Sequence, residues 1–528
     1  MTHAQLRPRA SRTASRAPEV AWLAGVVGAG GSALVGIGEV GVAAGTPALA
    51  FVPGLAQAAS TIGQPAGHVL VTLGVGVLAM AWWWCRPAAL GEAREASSQR
   101  FADGAAQRPS RRGRPWLLLL VAWCAPLLLA PPVLSRDAWL YADLGWMATR
   151  GIDPYVVGLA KGGGPFAASI DAFWAGHTVA YPPLSLQTAG LVVGLTGAHP
   201  YWSVVAMRLP ALVAVAALLW CVPRLATRLG GDPDLATWLG VASPLVVLHF
   251  VGGAHNDAPM AALAVVAALL ATRALPGGKE SLTVSLVLAP AIVGVAMCFK
   301  QPAGLAVLAA AGIPIAARLA EAPLGRRLWL LGWRAGVAAI VALATFALVS
   351  AATGLGFGWT RAVDVMGLAG TLAPAYLLFE LASHLAAALG TNAEPLRPVV
   401  ALASNVAVVA GLAWAVIAGS RRPVRATGWA AAALVVLGQV LYPWYLVWSV
   451  IFVVVDRPGR KTRRLLIAGL AWLLLAHTVQ TATLWPMYAC AFGAAAVVWL
   501  VIRRGRTDSL GASDDSMAGS GNAGSGRG

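Results

Sequence analysis

Residues 116–141 read WLLLLVAWCAPLLLAPPVLSRDAWLY. The first part, Trp116 to Leu134, is an apolar run close to the ~20 residues that cross a bilayer as a helix. The second part turns polar at once, with Ser135, Arg136, Asp137 and Tyr141. Runs like the first recur along the chain with only short polar breaks between them. With 58% hydrophobic and 11% charged residues in a chain of 528, the composition excludes a soluble protein of this size. Period-2 alternation is absent, which argues against a membrane barrel. The expected fold class is therefore all-α: a polytopic membrane protein of about 14 transmembrane helices with external juxtamembrane helices.

The organisation follows from where the apolar runs stop. A basic N-terminal tail (1–20) precedes a helix pair (21–85), and a basic linker (86–114) leads into a transmembrane body (115–502) with an external loop at 135–183. A polar, Gly/Ser-rich tail (503–528) has nothing to bury and is expected to be disordered. The arginines Arg7 to Arg16 ahead of Ala21 resemble a secretory leader, but the apolar run is longer than a cleavable one, which points to a retained helix. The net charge of +17 invites a nucleic-acid reading. The basic residues instead cluster at the ends of spans, where the positive-inside rule places them in the cytoplasm. Residues 184–195 are apolar enough to cross, yet a crossing there would put Arg224 and Arg228 outside, so a re-entrant or interfacial segment is expected. An external helix on the membrane surface is expected within 354–397. The five cysteines show no zinc-type spacing and lie in or beside apolar spans, so neither a disulfide nor a thiolate metal site is expected.

Charge is scarce here, so the loop 135–183, with Asp137, Asp143, Asp153 and Asp171, is where chemistry is expected. Asp137 opens a helical turn that brings Tyr141 onto the same face. A carboxylate there can take a proton from an acceptor hydroxyl, or it can merely cap the helix or pair with Arg136. Asp143 points away and reads as structural. Gly151-Ile152-Asp153-Pro154-Tyr155 is a turn, and Tyr181-Pro182-Pro183 a rigid return to the membrane. The corner Gly252-Gly253-Ala254-His255-Asn256-Asp257 offers three polar side chains to the same cavity, the alternative being an Asn256 cap on the next span. Lys300 stands alone between two apolar spans and either binds phosphate or snorkels to the interface, and Arg208 is a second cation of this kind. Tyr442-Pro443-Trp444-Tyr445 turns the chain between two basic clusters, either as an interface belt or as a sugar cradle.

Ser135-Arg136-Asp137 with Tyr141, Gly151-x-Asp153-Pro154-Tyr155, Tyr181-Pro182-Pro183, the Gly252 to Asp257 corner, Lys300 before Pro302, and Tyr442-Pro443-Trp444-Tyr445 occur in an order that resembles the actinobacterial polyprenol-phosphomannose-dependent α-1,6-mannosyltransferases. These are class C membrane glycosyltransferases, and the resemblance runs from about Trp116 to Ile502. It implies a plasma-membrane enzyme with its site on the periplasmic or extracellular side. The implied donor is polyprenyl-phosphomannose, and the acceptor a mannosylated lipid carrying a growing α-1,6-linked mannan, the core of lipomannan or lipoarabinomannan. Asp137 takes the place of the catalytic aspartate. Substrate binding then falls to Arg136, Tyr141, Asp153, Tyr155, Arg208, His255, Asn256, Asp257, Lys300, Tyr442 and Trp444. No cofactor and no divalent metal are expected, and the chain shows no phosphate-cradling glycine loop for a nucleotide. Trp139 and Leu140 stand where smaller or polar residues are expected, which bears on the acceptor. The alternatives are transfer of another polyprenyl-phosphate sugar (arabinose or glucose), action on protein, or transport of a lipid-linked sugar. Transport predicts repeated halves with broken helices at matching positions, and no such repeat is visible.

Overall fold

The computed structural model describes residues 17–86, 113–274, 282–367 and 370–518, and among these every regular element is helical. Seven helices are long and apolar enough to cross a bilayer: Ala21–Val42, Leu55–Trp84, Trp202–Arg228, Gln301–Glu321, Leu324–Ala352, Glu394–Gly419 and Arg460–Thr483. Val246–Gly252 and Asp257–Ala271 form a pair bent by 111° that makes an eighth if counted as one span. The expectation of about 14 counted every apolar run as a span. Several runs form shorter helices instead: Pro115–Leu127, Pro183–Leu195, Val284–Met297, Pro423–Leu437, Pro443–Val454 and Met487–Arg503. Proline explains part of the shortening. Gly113–Cys124 passes through one 3-10 turn and stops before Pro131-Pro132, and the run expected to span 235–252 is split near Pro244.

The first two long helices pack through glycines. A Cβ at Gly38 would stand 2.7 Å from the Gly67 carbonyl oxygen, and one at Gly74 would stand 2.5 Å from that of Gly31. In lipid, where no hydrophobic force drives helices together, such close approach is what holds a pair. The pair is not set apart from the body. Trp82 stacks on Trp238 at 4.7 Å, and each indole donates to the other's backbone carbonyl at 3.0 Å. Trp123 donates to the carbonyl of Ala24 at 3.0 Å.

The loop 135–183 folds around the helix Asp137–Thr149, which packs on Pro183–Leu195. Gly145 permits this contact, since a Cβ there would lie 2.4 Å from the Ala189 carbonyl oxygen. At 13 residues, Pro183–Leu195 extends about 20 Å, short of the ~30 Å hydrocarbon core. In the segment 354–397 the expected helix is Pro374–Ala388. Its Glu380 carboxylate accepts the N–H groups of Met487 (3.1 Å) and Tyr488 (2.8 Å), in the first turn of the last helix. That last helix continues to Ala518, so the tail expected to be disordered from 503 is helical over its first part. Once a helix is formed, adding residues costs far less than nucleating it. Most of the basic tail 1–20, most of the linker 86–114 and residues 519–528 lie outside the described residues.

Candidate active site

Asp137 is the first residue of its helix, held at the turn by its own N–H donating to Ser135 Oγ at 3.2 Å. One turn on, the Tyr141 hydroxyl lies 3.4 Å from Asp137 Oδ2, as the spacing predicts. The second half of the site is the bend between Val246–Gly252 and Asp257–Ala271. There Ala254 takes a left-handed φ of 56°, which turns His255 and Asn256 towards the first half. His255 Nδ1 lies 3.4 Å from Asp137 Oδ2 and 3.5 Å from the Tyr141 hydroxyl. The same hydroxyl donates to Asn256 Oδ1 at 3.4 Å, and Asn256 Nδ2 donates to Ser185 Oγ at 2.9 Å.

Aromatic rings close one side. Trp444 stacks on the His255 ring with centroids 3.6 Å apart, and Tyr442 stacks on Trp444 at 4.8 Å and 6°. His255 is fully buried beneath this column, whereas the Asp137 side chain keeps 22% exposure. The solvent-facing base of the pair is therefore the carboxylate. Burial pushes the Asp137 carboxyl up, but the hydrogen bond from His255, the charges of His255 and Lys300, and the Ser135 hydroxyl outweigh it. The group is held below the usual carboxylate range. Burial, reinforced by neighbouring phenol and carboxylate groups, pushes the Tyr141 phenol well up, so it remains an O–H donor.

Lys300 is not a free cation. Its Nζ donates to both Asp257 oxygens at 2.9 Å and lies over the rings of Tyr445 (4.2 Å), Trp448 (5.3 Å) and Tyr181 (6.0 Å). Arg136 is exposed beside Asp137 and donates to the Ser169 carbonyl at 2.9 Å. A crevice with mostly apolar walls, among them Ala189, Pro210, Pro259 and Phe299, reaches Tyr141, His255 and Asn256.

The structure thus brings together Asp137, Tyr141, His255, Asn256, Asp257, Lys300, Tyr442 and Trp444, with Arg136 at the edge. Three expected substrate contacts are corrected. Arg208 is buried and its Nη2 donates to the carbonyls of Pro131 (2.9 Å) and Gly252 (2.8 Å), so this nitrogen holds backbone. Asp153 is exposed and accepts the Tyr155 N–H at 2.8 Å, a turn formed by its own side chain. Tyr155 is buried and donates to the Tyr181 carbonyl at 2.7 Å, which supports the site from behind. Asp143 accepts the Ala160 N–H at 2.9 Å and is structural, as expected. Sequence reasoning named Tyr181 and Tyr445 only as parts of turn motifs, and it missed Ser185, Trp448 and two histidines. His249 lies 5.1 Å from Trp444 and 5.5 Å from His477, ring to ring. Each histidine is a lone ionisable group in an apolar run, which was the available signal. Among the described residues no group of three His, Cys, Asp or Glu is placed to hold a metal ion.

A carboxylate, an imidazole and a phenol thus meet at the ends of apolar helices, open on one side. Residues 25–318 match the family described as α-(1→6)-mannopyranosyltransferase, N-terminal domain, and residues 366–504 match the MptB C-terminal domain. The chain belongs to the α-(1→6)-mannopyranosyltransferase family and is a glycosyltransferase. It is 30% identical to a probable α-(1→6)-mannopyranosyltransferase of Mycolicibacterium smegmatis, covering 80% of this chain and 77% of that one. It is 28% identical to α-(1→6)-mannopyranosyltransferase A of Mycobacterium tuberculosis (83% and 81% covered) and 27% identical to α-(1→6)-mannopyranosyltransferase B of Corynebacterium glutamicum (72% and 64%). No solved structure matches it.

Proposed function

We infer that the protein transfers mannose from polyprenyl-phosphomannose to a growing α-1,6-linked mannan on a lipid anchor, by one inverting displacement at the outer face of the plasma membrane. The observation that carries this is the pair of exposures at the base: Asp137 reaches solvent and His255 does not. The family and the named activities of its relatives support mannose as the sugar. The mostly apolar crevice beside Tyr141 and Asn256 suits a prenyl chain better than a nucleotide. Orientation is supported by the helix Pro443–Val454, which starts beside the site and ends near Asp456, where Arg422 and Arg425 gather at 3.5 Å. The positive-inside rule favours the cytoplasm for that basic end, which supports a site at the outer face. In this reading the shorter apolar helices complete a class C bundle of about 14 crossings.

In the displacement, Asp137 accepts the proton of the acceptor 6-hydroxyl as that oxygen attacks the anomeric carbon. The bond from that carbon to the lipid phosphate breaks, and its electrons leave with the phosphate, which gains a negative charge. Lys300 is paired with Asp257 and Arg208 is buried, so Arg136, exposed beside Asp137, is the cation open to meet that charge. Tyr141 and His255 orient the carboxylate.

The test uses protein purified in detergent with labelled polyprenyl-phosphomannose, a synthetic α-1,6-dimannoside lipid and linkage analysis of the product. Asp137→Asn keeps the shape and loses the basicity, so turnover should fall by about a hundredfold or more with folding intact. Near-normal transfer by this variant would remove Asp137 from the role. Wild-type protein that moves label across vesicles but forms no longer mannoside would point to a carrier.

A further inference from the structure

Just before Asp137 the chain makes a turn that nothing in the loop itself explains. Leu134 has a φ of 52°, a left-handed backbone that a leucine avoids. The turn is buried, and its polar backbone groups are met from elsewhere. Glu39, from the first helix, accepts the Leu134 N–H at 2.7 Å. His477, from the helix Arg460–Thr483, lies with Nε2 3.0 Å from the Leu134 carbonyl oxygen, so its ring N–H donates there. Arg208 donates to the Pro131 and Gly252 carbonyls at 2.9 and 2.8 Å, and the Val133 N–H donates to that same Gly252 oxygen at 3.2 Å. These three side chains come from parts of the sequence more than 150 residues apart at the nearest and 400 at the farthest, as their numbers show.

The two backbone segments tied here are the ones that carry the two halves of the site. Leu134 leads into Asp137, and Gly252 leads into His255. The Asp137 to His255 contact of 3.4 Å therefore depends on the spacing between two turns that Glu39, Arg208 and His477 fix from behind. We propose that Glu39, Arg208 and His477 are positioning residues that lock the Pro131 to Leu134 turn against Gly252 and so set the carboxylate of Asp137 for proton transfer. This rests on Asp137 being the base. It gives a function to the N-terminal helix pair, which supplies Glu39 and otherwise contributes no group to the chemistry.

The experiment compares Glu39→Leu, Glu39→Gln, His477→Leu, His477→Gln and the double leucine variant in the same detergent assay, with Asp137→Asn run alongside. Glutamine at 39 keeps an acceptor oxygen and at 477 keeps an N–H donor. The leucine variants should lose about tenfold to a hundredfold in kcat, the scale of a base displaced by about an ångström, with the donor KM unchanged. The glutamine variants should recover most of the loss. The double variant should be little worse than the poorer single, because both release the same residue, Leu134, one at its N–H and the other at its carbonyl. If a leucine variant does not fold, serine at the same position, too short to reach Leu134, takes its place with the same expected loss. Wild-type kcat in the leucine or serine variants, glutamine variants as impaired as they are, or singles that multiply in the double would each overturn the proposal while Asp137→Asn stays inactive. An active Asp137→Asn would overturn the base assignment and this inference together.

Discussion

Asp257 and Lys300 allow a sharp quantitative test of how the site is held. The carboxylate is fully buried and the ammonium nearly so, with both oxygens 2.9 Å from Nζ. At that distance and an effective dielectric of about 20 the attraction is about 6 kcal/mol, set against several kcal/mol to desolvate each ion. The pair itself is thus near break-even, but removing one partner strands the other. Lys300→Met leaves a buried carboxylate relieved only by its place in the first turn of Asp257–Ala271, and should cost about 3–5 kcal/mol. Asp257→Asn leaves an ammonium that keeps the Tyr445 ring at 4.2 Å, worth about 1–2 kcal/mol, so its cost should be the smaller. The double variant Lys300→Met/Asp257→Asn should return to within about 1–2 kcal/mol of wild type. Unfolding by SDS titration in mixed micelles measures all four proteins, and the cycle gives the coupling directly. Additive losses, with the double variant the least stable of all, would refute the pairing and return Lys300 to the role of a free phosphate ligand.

Other outcomes follow from the same geometry. His255→Gln should move the acid limb of kcat upward in pH. In the wild type the Asp137 carboxyl is held below 3.8 chiefly by His255 against burial, so its base form, and the stability it contributes, are lost only as pH falls through that low value. Without the imidazole, burial wins and the loss begins at higher pH; an unmoved limb in a rate-against-pH series would refute the coupling. Arg136→Ala should raise the donor KM by roughly tenfold with acceptor KM unchanged, and equal effects on both would place Arg136 elsewhere. Gly145→Val drives a side chain into the Ala189 carbonyl oxygen, 2.4 Å from the ideal Cβ, and should cost about 1–3 kcal/mol in the same SDS titration. Asp153→Ala should leave turnover within about twofold to threefold, since it removes only an exposed turn contact worth about 1 kcal/mol.

What the sequence disclosed and what it hid divide along physical lines. Asp137 and Tyr141 were legible because four residues in a helix are neighbours. The His255 to Asp257 corner was legible because polar groups between apolar runs must face something other than lipid. Partners were not legible. Nothing local says that Asp257 pairs with Lys300, or that Arg208 Nη2 donates to two carbonyls, because those contacts join residues 43 and 44 positions or more apart. Helix lengths were not legible for a related reason: apolar content reports burial in lipid or in protein alike, so it does not tell shorter helices such as Pro423–Leu437 and Pro443–Val454 from the long ones.

The two acids of the site are chemically the same group in opposite states of engagement. Asp257 spends its charge on Lys300 and has no exposed surface. Asp137 shares a hydrogen bond with an imidazole and keeps a fifth of its side chain open. Lys300 links them, since its charge also favours ionised Asp137. A base held this low is weak for abstracting a proton early. It suits a displacement in which the bond to the lipid phosphate breaks ahead and the acceptor oxygen becomes acidic as it bonds to carbon. The hydroxyl then needs only an ionised carboxylate at hydrogen-bond distance, kept in place from behind, and not a strong base.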